Sequence, residues 1–235
     1  MDIILVPGFW LDASAWDAVT PPLVAAGHTV HPLTLPGMES VDADRSGITL
    51  ADHVDAVVAA IDALPDDAEV VLVGHSAGGP LVYAASDARP GRVHRIVYVD
   101  SGPLADGQAL NADLPTDVVD HDLPPWGEFD ESSLTGLTDE LRAEFRARAI
   151  PQPGGTVREP HRLSDDESRL DVPTTVIASE MSADVLRDLM TQGHPYVAEL
   201  ARHRDYEIVD LPTGHWPMFT RPVDLAEAIA AAVER

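Results

Sequence analysis

The chain has 235 residues and a net charge of −25, with arginine as its only basic residue and no cysteine. The lack of cysteine excludes disulfides, thiolate nucleophiles and thiolate metal sites. So acidic a surface repels phosphate backbones and anionic lipids, and we therefore expect neither nucleic acid nor a membrane as a partner. No apolar run is long enough to span a bilayer, and no basic stretch precedes the first apolar run, so we expect a cytoplasmic protein.

Strand-like and helix-like segments alternate along most of the chain. The predicted strands are residues 3–6, 29–35, 69–73, 93–99, 174–178 and 206–211. The predicted helices lie within residues 10–27 and at 49–64, 77–89, 138–149, 183–192 and 222–233. This alternation predicts an α/β fold with an open, mostly parallel sheet of about six strands and helices on both faces.

The alternation stops between residues 101 and 171, a stretch rich in proline, glycine and aspartate with one clear predicted helix. An irregular segment of this length inside a compact domain is usually a lid or a binding loop. We therefore expect a core made of residues 1–100 and 172–235, with residues 101–171 as a small cap inserted between its two parts.

The most informative motif follows the third predicted strand, where apolar residues lead directly into Gly74-His75-Ser76-Ala77-Gly78. A Gly-x-Ser-x-Gly turn between a strand and a helix exposes the serine hydroxyl above the sheet edge, because the two glycines let the backbones approach closely. The pattern predicts Ser76 as a nucleophile. The alternative is a glycine-rich turn that only connects two elements.

A serine needs a base that removes its proton, and this base is usually a histidine. Among the ten histidines, His215 follows the last predicted strand in a loop that begins with Thr213-Gly214. Ligands bind at the carboxyl ends of parallel strands, where Ser76 also lies, so we expect the two side chains to meet. His75 should point away from the nucleophile, and the other histidines are expected at the surface or in packing.

Attack on a carbonyl creates an oxyanion that needs fixed hydrogen-bond donors. One expected donor is the backbone N–H of Ala77, directly after the nucleophile. The other is the N–H of Phe9, because Gly8 lets the loop after the first strand approach closely. The alternative for Pro7-Gly8 is an ordinary turn.

Four stretches together resemble the α/β-hydrolase superfamily, in particular its small, cofactor-free serine hydrolases similar to plant methylesterases and hydroxynitrile lyases. They are Val6-Pro7-Gly8-Phe9-Trp10 with Trp16 downstream, Gly74-His75-Ser76-Ala77-Gly78-Gly79, Tyr98-Val99-Asp100 and Gly214-His215. The resemblance implies a serine hydrolase without organic cofactor or metal, with a cap after the fourth strand. Pro7 departs from the family pattern, since it replaces a histidine that is common before the oxyanion glycine.

The acid that orients the histidine is the second departure, because Ser182 falls where the family pattern places an aspartate. Three carboxylates are candidates. Asp100 ends the fourth strand, a position that some lipases of the superfamily use. Glu180 comes two residues before the expected position, and Asp184 comes two residues after it. Alternatively, Asp100 is a strand-end residue that holds a loop in place, and Asp184 is a negative charge in the first turn of the next helix, where the helix dipole favours it.

These features predict hydrolysis of a small to medium, fairly apolar carboxylic ester through an acyl-serine intermediate, by a monomer or homodimer. The predicted substrate-contacting wall consists of Trp10, Met38, Trp126, Phe129, Trp216 and Met218. The alternatives on the same scaffold are a lactonase, an amidase or a cofactor-free lyase, and outside enzymes a ligand-binding protein with a degenerate triad. The lack of lysine counts against the lyase, because the resembling lyases commonly use one near the site.

Overall fold

Six strands form one sheet in the computed structural model, which describes residues 1–235. They are β1 (Asp2–Val6), β2 (Thr29–Pro32), β3 (Val70–His75) and β4 (Val93–Val99), followed after two short strands by β7 (Thr174–Ala178) and β8 (Tyr206–Asp210). The short strands β5 (Asp120–His121) and β6 (Gln152–Pro153) pair with each other outside this sheet. The sheet order is β2-β1-β3-β4-β7-β8, and every neighbouring pair is parallel. The predicted fold class is thus confirmed.

Helices cover both faces of the sheet. They are α1 (Thr20–Ala25), α2 (Leu50–Asp62), α3 (Gly78–Ala88), α4 (Asp139–Arg148), α5 (Gly154–Arg158), α6 (Ala183–Thr191), α7 (Pro217–Thr220) and α8 (Pro222–Val233). Helices α2 and α3 pack together on one face, and α1 packs with α8 on the other. None of the helices combines the length and the apolar character that crossing a bilayer requires.

Strand β1 shows how the sequence fills the two faces. Ile3 and Leu5 belong to the apolar cluster under α1 and α8, whereas Ile4 and Val6 belong to the cluster under α2 and α3. Successive side chains of a strand point to opposite faces, so a strand buried on both faces reads as one continuous apolar run. This burial explains why the central strands β1, β3, β4 and β7 could be found from short apolar runs.

Two predicted elements differ from the observed ones. Residues 10–27 hold a 3-10 turn (Ala13–Trp16) followed by the short helix α1, since Asp12 caps the turn and Pro21 and Pro22 lack the N–H groups that a longer helix needs. The predicted strand at 29–35 ends at Pro32, and the chain then turns toward Pro36 and Gly37, whose φ of +80° suits glycine.

Residues 101–171 contain the expected helix, observed as α4, together with the strands β5 and β6 and the short helix α5. Thr138 caps α4 through its side chain, which accepts a hydrogen bond from the backbone N–H of Leu141. Buried Phe145 attaches α4 to the same apolar cluster as α8. The division of the chain into a core and a cap stays a prediction.

Candidate active site

Ser76 occupies a sharp turn between the end of β3 at His75 and the start of α3 at Gly78. Its φ is +49°, in the left-handed region that non-glycine residues rarely adopt. A Cβ on Gly74 would lie 2.6 Å from the carbonyl oxygen of Gly78, and one on Gly78 would lie 2.5 Å from that of Val6. Both positions therefore require glycine, and the close approach forces the conformation that presents the Ser76 hydroxyl at the sheet edge.

His215 lies between Ser76 and a carboxylate. Its Nε2 is 2.8 Å from Ser76 Oγ, and its Nδ1 is 2.6 Å from Asp100 Oδ2. The loop after β8 thus brings together residues that are 139 positions apart in the chain. The side chains of Ser76, His215 and Asp100 form one continuous hydrogen-bonded line.

His75 has a function in this arrangement that its sequence position did not reveal. Its Nε2 lies 2.7 Å from the carbonyl oxygen of His215, and the two rings are 5.0 Å apart. Complete burial and the neighbouring His215 lower the pKa of His75 to about 3, so its imidazole is neutral and Nε2–H donates to that carbonyl. His75 therefore fixes the backbone of the loop that carries His215.

Asp100 is the carboxylate that the structure places at His215 Nδ1. Its φ of +45° turns the side chain back from the end of β4, and its Oδ1 accepts hydrogen bonds from the backbone N–H groups of Ser179 and Glu180. Burial alone would raise the pKa of Asp100, but the hydrogen bond and charge of His215 and the two backbone donors outweigh it and lower that pKa. Asp100 is therefore ionised near neutral pH.

The other two candidate acids occupy different positions. Glu180 Oε2 lies 4.0 Å from His215 Nδ1, too far for a hydrogen bond. Asp184 lies in the first turn of α6, exposed and paired with Arg187 at 3.1 Å. Ser182, where the family pattern places an aspartate, instead caps α6 by accepting a hydrogen bond from Val185.

The loop after β1 supplies the second side of the site. A Cβ on Gly8 would lie 2.8 Å from Ser76 Cβ, so only glycine lets this loop pass so close to Ser76. The backbone N–H groups of Phe9 and Ala77 donate to no other group of the protein, and both residues line the cavity at Ser76. Trp10 follows with a φ of +64°, so all three non-glycine residues of positive φ lie at this site.

A cavity of about 380 Å³ opens beside Ser76, and we call it the aliphatic cavity. Its apolar wall is mostly aliphatic, with Phe9 and Tyr196 as two aromatic members beside Ala77, Pro80, Pro103, Leu104, Leu110, Val176, Ala178, Met181, Leu186, Val197 and Leu200. Glu199 also lines it, but the carboxylate accepts a hydrogen bond from Tyr83 at 2.6 Å and pairs with Arg202 at 2.7 Å. The cavity therefore suits an apolar group attached to the carbon that Ser76 attacks.

The six residues predicted to contact substrate lie outside the aliphatic cavity, and their role in substrate contact stays a prediction. None of Trp10, Met38, Trp126, Phe129, Trp216 and Met218 lines the aliphatic cavity. Met38 is buried under α2, and Met218 is buried under α8. Trp10 donates from its indole N–H to the carbonyl oxygen of His121, which attaches the loop after β1 to β5.

The remaining three residues belong to an aromatic cluster, defined here as Trp126, Phe129, Phe145 and Trp216. Trp216 is buried at its centre, with the other three ring centroids 5.3 to 6.0 Å away in edge-to-face contacts. Large rings lower the free energy of folding most when they are buried, and here they attach residues 101–171 to the core. The apolar residues after β7 and at 195–200 line the cavity, and their position after the carboxyl end of a strand is the sequence feature that could have indicated it.

Comparison with known proteins agrees with this geometry. The chain is 27% identical over 252 residues to a carbendazim hydrolyzing esterase from Nocardioides sp. (strain SG-4G), covering 98% of both chains. It superposes with a TM-score of 0.77 on an extracellular alpha/beta-hydrolase from a Paenibacillus species, at 21% identity and covering 99% and 98% of the two chains. For a methylesterase from Arabidopsis the TM-score is 0.74, at 19% identity, covering 100% and 99%.

The resemblance to plant methylesterases inferred from the motifs is confirmed by these matches. A family model described as "Alpha/beta hydrolase family" also matches residues 3–228. That range includes the six-stranded sheet from Ile3 onward together with Ser76, Asp100 and His215. The chain belongs to the alpha/beta hydrolase family.

Proposed function

We propose that this chain is a serine hydrolase that cleaves small to medium carboxylic esters with a fairly apolar acyl group. One observation carries the proposal: His215 is hydrogen-bonded at once to Ser76 Oγ, at 2.8 Å, and to Asp100 Oδ2, at 2.6 Å. This is the geometry in which a histidine can accept the proton of a serine while a carboxylate holds its tautomer. The catalytic roles below follow from it.

The ionised Asp100 accepts the hydrogen bond from His215 Nδ1–H, so the lone pair of Nε2 faces Ser76 Oγ. As Oγ attacks the ester carbonyl carbon, the hydroxyl proton moves to Nε2 and an imidazolium forms beside Asp100. The imidazolium then gives this proton to the leaving alcohol oxygen, and the acyl group remains on Oγ. Water deprotonated by His215 attacks the acyl-serine, which releases the acid and restores the hydroxyl.

The tetrahedral intermediate carries a negative oxygen that needs donors already in place. Phe9 and Ala77 have backbone N–H groups without partners, and both line the cavity at Ser76. The Ala77 N–H also lies at the start of α3, where the helix dipole favours negative charge. We assign these two groups to the oxyanion.

The aliphatic cavity receives the acyl group in this proposal, since it opens at Ser76 and its wall is mostly aliphatic. Burial of one methylene contributes about 0.8 kcal/mol, which corresponds to a roughly fourfold rise in kcat/KM per added methylene until the cavity is full. An uncharged acyl group also avoids repulsion from a chain of net charge −25.

Relatives support the reaction type, because one that matches the full length of this chain is named a carbendazim hydrolyzing esterase. The ligand-binding alternative depended on a missing acid, and the position of Asp100 weakens it. The cytoplasmic location and the monomeric or homodimeric state remain part of the proposal. Cell fractionation and light scattering after gel filtration test them.

The decisive experiment compares the wild type with Ser76→Ala on p-nitrophenyl esters of two to twelve acyl carbons. We expect Ser76→Ala to lower kcat by about 10⁶ and to abolish labelling by a fluorophosphonate probe, with an unchanged melting temperature. Ser46→Ala, at an exposed surface serine, is the matched control and should behave as the wild type. Full turnover by Ser76→Ala would end the proposal.

A further inference from the structure

Nδ1 of His215 faces two carboxylates instead of one. Asp100 Oδ2 lies 2.6 Å away and Glu180 Oε2 lies 4.0 Å away. The two acids are held in a fixed relation, because the backbone N–H of Glu180 donates to Asp100 Oδ1 at 2.9 Å. The mechanism above uses only Asp100, so the second carboxylate has no assigned role in it.

The Glu180 side chain is held from the opposite side by residues 101–171. Ser132 Oγ donates to Glu180 Oε1 at 2.9 Å. The neighbouring Ser133 accepts from the backbone N–H of His215 at 2.9 Å, and Thr135 accepts from that of Gly214 at 2.9 Å. The segment at residues 132–135 thus binds both the His215 loop and the second carboxylate, which fixes their separation.

Glu180 keeps its charge available to His215. Its only ion-pair partner is His215, since no arginine lies within 4.0 Å of its carboxylate, and its side chain is 25% exposed. The other titratable groups near His215 are neutral around pH 7. They are His75, with a pKa of about 3, and Tyr196, whose pKa is raised to about 12 by burial of the hydroxyl and by the charges of Asp100 and Glu180.

We propose that Glu180 is a positioning residue for the ester hydrolysis: its carboxylate, held by Ser132, provides a second negative charge that stabilises the imidazolium of His215. This inference depends on the proposed function. Two opposite unit charges 4 Å apart attract each other more strongly as water is excluded, and a partly exposed pair lies toward the weaker end of that range. We therefore expect a contribution of about five- to thirty-fold to kcat.

The test is Glu180→Gln, which keeps the shape of the side chain and a hydrogen bond to Ser132 but removes the charge. We expect kcat to fall by about five- to thirty-fold while KM for a butyrate ester stays within about twofold. Without this charge the imidazolium is less stable, so His215 stays neutral to lower pH. The acid limb of kcat/KM should therefore move to lower pH.

Three further variants separate a charge effect from a structural one. Glu180→Asp retains a carboxylate and should keep the acid limb near its wild-type position. Ser132→Ala releases Glu180 without altering it and should give an intermediate loss of kcat. Asp184→Asn removes an equal charge from an exposed residue paired with Arg187, and it should leave both kcat and the acid limb unchanged.

The outcomes are distinguishable. If Glu180→Gln matches Asp184→Asn in kcat and in its pH profile, or loses kcat with the acid limb in place, the role of Glu180 is overturned while ester hydrolysis stands. If the wild type shows no hydrolysis that depends on Ser76, the proposed function itself is wrong and this inference falls with it. A lower melting temperature would reveal that Glu180→Gln is destabilised. In that case the kcat of Ser132→Ala decides whether Glu180 has the proposed role.

Discussion

Two regions of opposite character flank His215. On one side lies the aliphatic cavity, with walls mainly of leucine, valine, methionine and proline, together with Phe9 and Tyr196, around about 380 Å³ of space. On the other lies the aromatic cluster, in which Trp216 packs edge-to-face against the ring of His215 at 5.0 Å. Both regions are mostly apolar and both contact the hydrogen-bonded line of Ser76, His215 and Asp100, yet only the first opens onto Ser76.

The difference separates two uses of apolar surface. Large rings have few rotatable bonds and bury a large area, so they stabilise a fixed junction between segments. Apolar side chains that surround an open space, as in the aliphatic cavity, stay available to a ligand instead. The position of an aromatic residue next to a proposed catalytic residue in the sequence is therefore weak support for substrate contact. Trp216, which follows His215 but does not line the cavity, is an example.

The strongest test of this comparison is Trp216→Ala. Removing a buried tryptophan from the centre of the aromatic cluster should lower the free energy of unfolding by about 3–5 kcal/mol, measured by urea denaturation. Trp126→Ala is the control, because Trp126 is only partly buried at the edge of the same cluster, and it should cost less. A Trp216→Ala protein that folds should prefer the same acyl length as the wild type, and a changed preference would contradict the separation of the two regions.

A substitution in the cavity wall should instead change the preference for acyl length more than it changes stability. Leu200 is buried and lines the aliphatic cavity, so Leu200→Phe should fill part of the space that a long acyl chain needs. The ratio of kcat/KM for octanoate to that for butyrate esters should fall by about 10–200-fold, with a loss of stability of at most about 1–3 kcal/mol. Phe145→Leu in the aromatic cluster is the matched control, and there the ratio should stay constant while stability falls.

The meeting of Ser76 and His215 could be predicted from the sequence because each residue follows the end of a strand. A buried strand followed by Gly74-His75-Ser76-Ala77-Gly78 identifies one position at the carboxyl edge of the sheet, and the loop after the last strand identifies another. Parallel strands end at the same edge, so this reasoning needs no knowledge of side-chain packing. The structure places Ser76 and His215 in hydrogen-bond contact there.

The acid and the pocket wall could not be decided in this way. Asp100 and Glu180 both lie at the same edge, and the choice between them depends on the positive φ of Asp100 and on two backbone donors from a distant segment. The cavity wall depends on how residues 101–104 and 195–200 pack around β7, and their apolar character alone does not place them there. Non-local contacts therefore determine which carboxylate meets His215 and which side chains meet the ligand.

Buried histidines provide the smallest test, and one lies in the 101–171 segment while the other lies outside it. His161 lies in residues 101–171, and burial lowers its pKa from 6.5 to about 4. Burial is also the main reason that the pKa of His203, whose ring contacts that of Tyr83 near the cavity, is lowered to about 4. Below pH 6.5 the unfolded chain binds protons at these residues that the folded chain does not, so stability is complete above that pH and falls as pH drops toward 4.

Each such histidine adds up to about 1.4 kcal/mol per pH unit to the slope of unfolding free energy between pH 6.5 and 4. His161→Gln and His203→Gln should each reduce that slope by about this amount, measured by urea denaturation across the pH series. Because the cause is burial in both cases, the two variants should respond alike although one lies near the cavity and the other in the 101–171 segment. If only one variant changed the slope, burial would not lower the pKa of His161 and of His203 to the same extent, which would contradict the expected equal response.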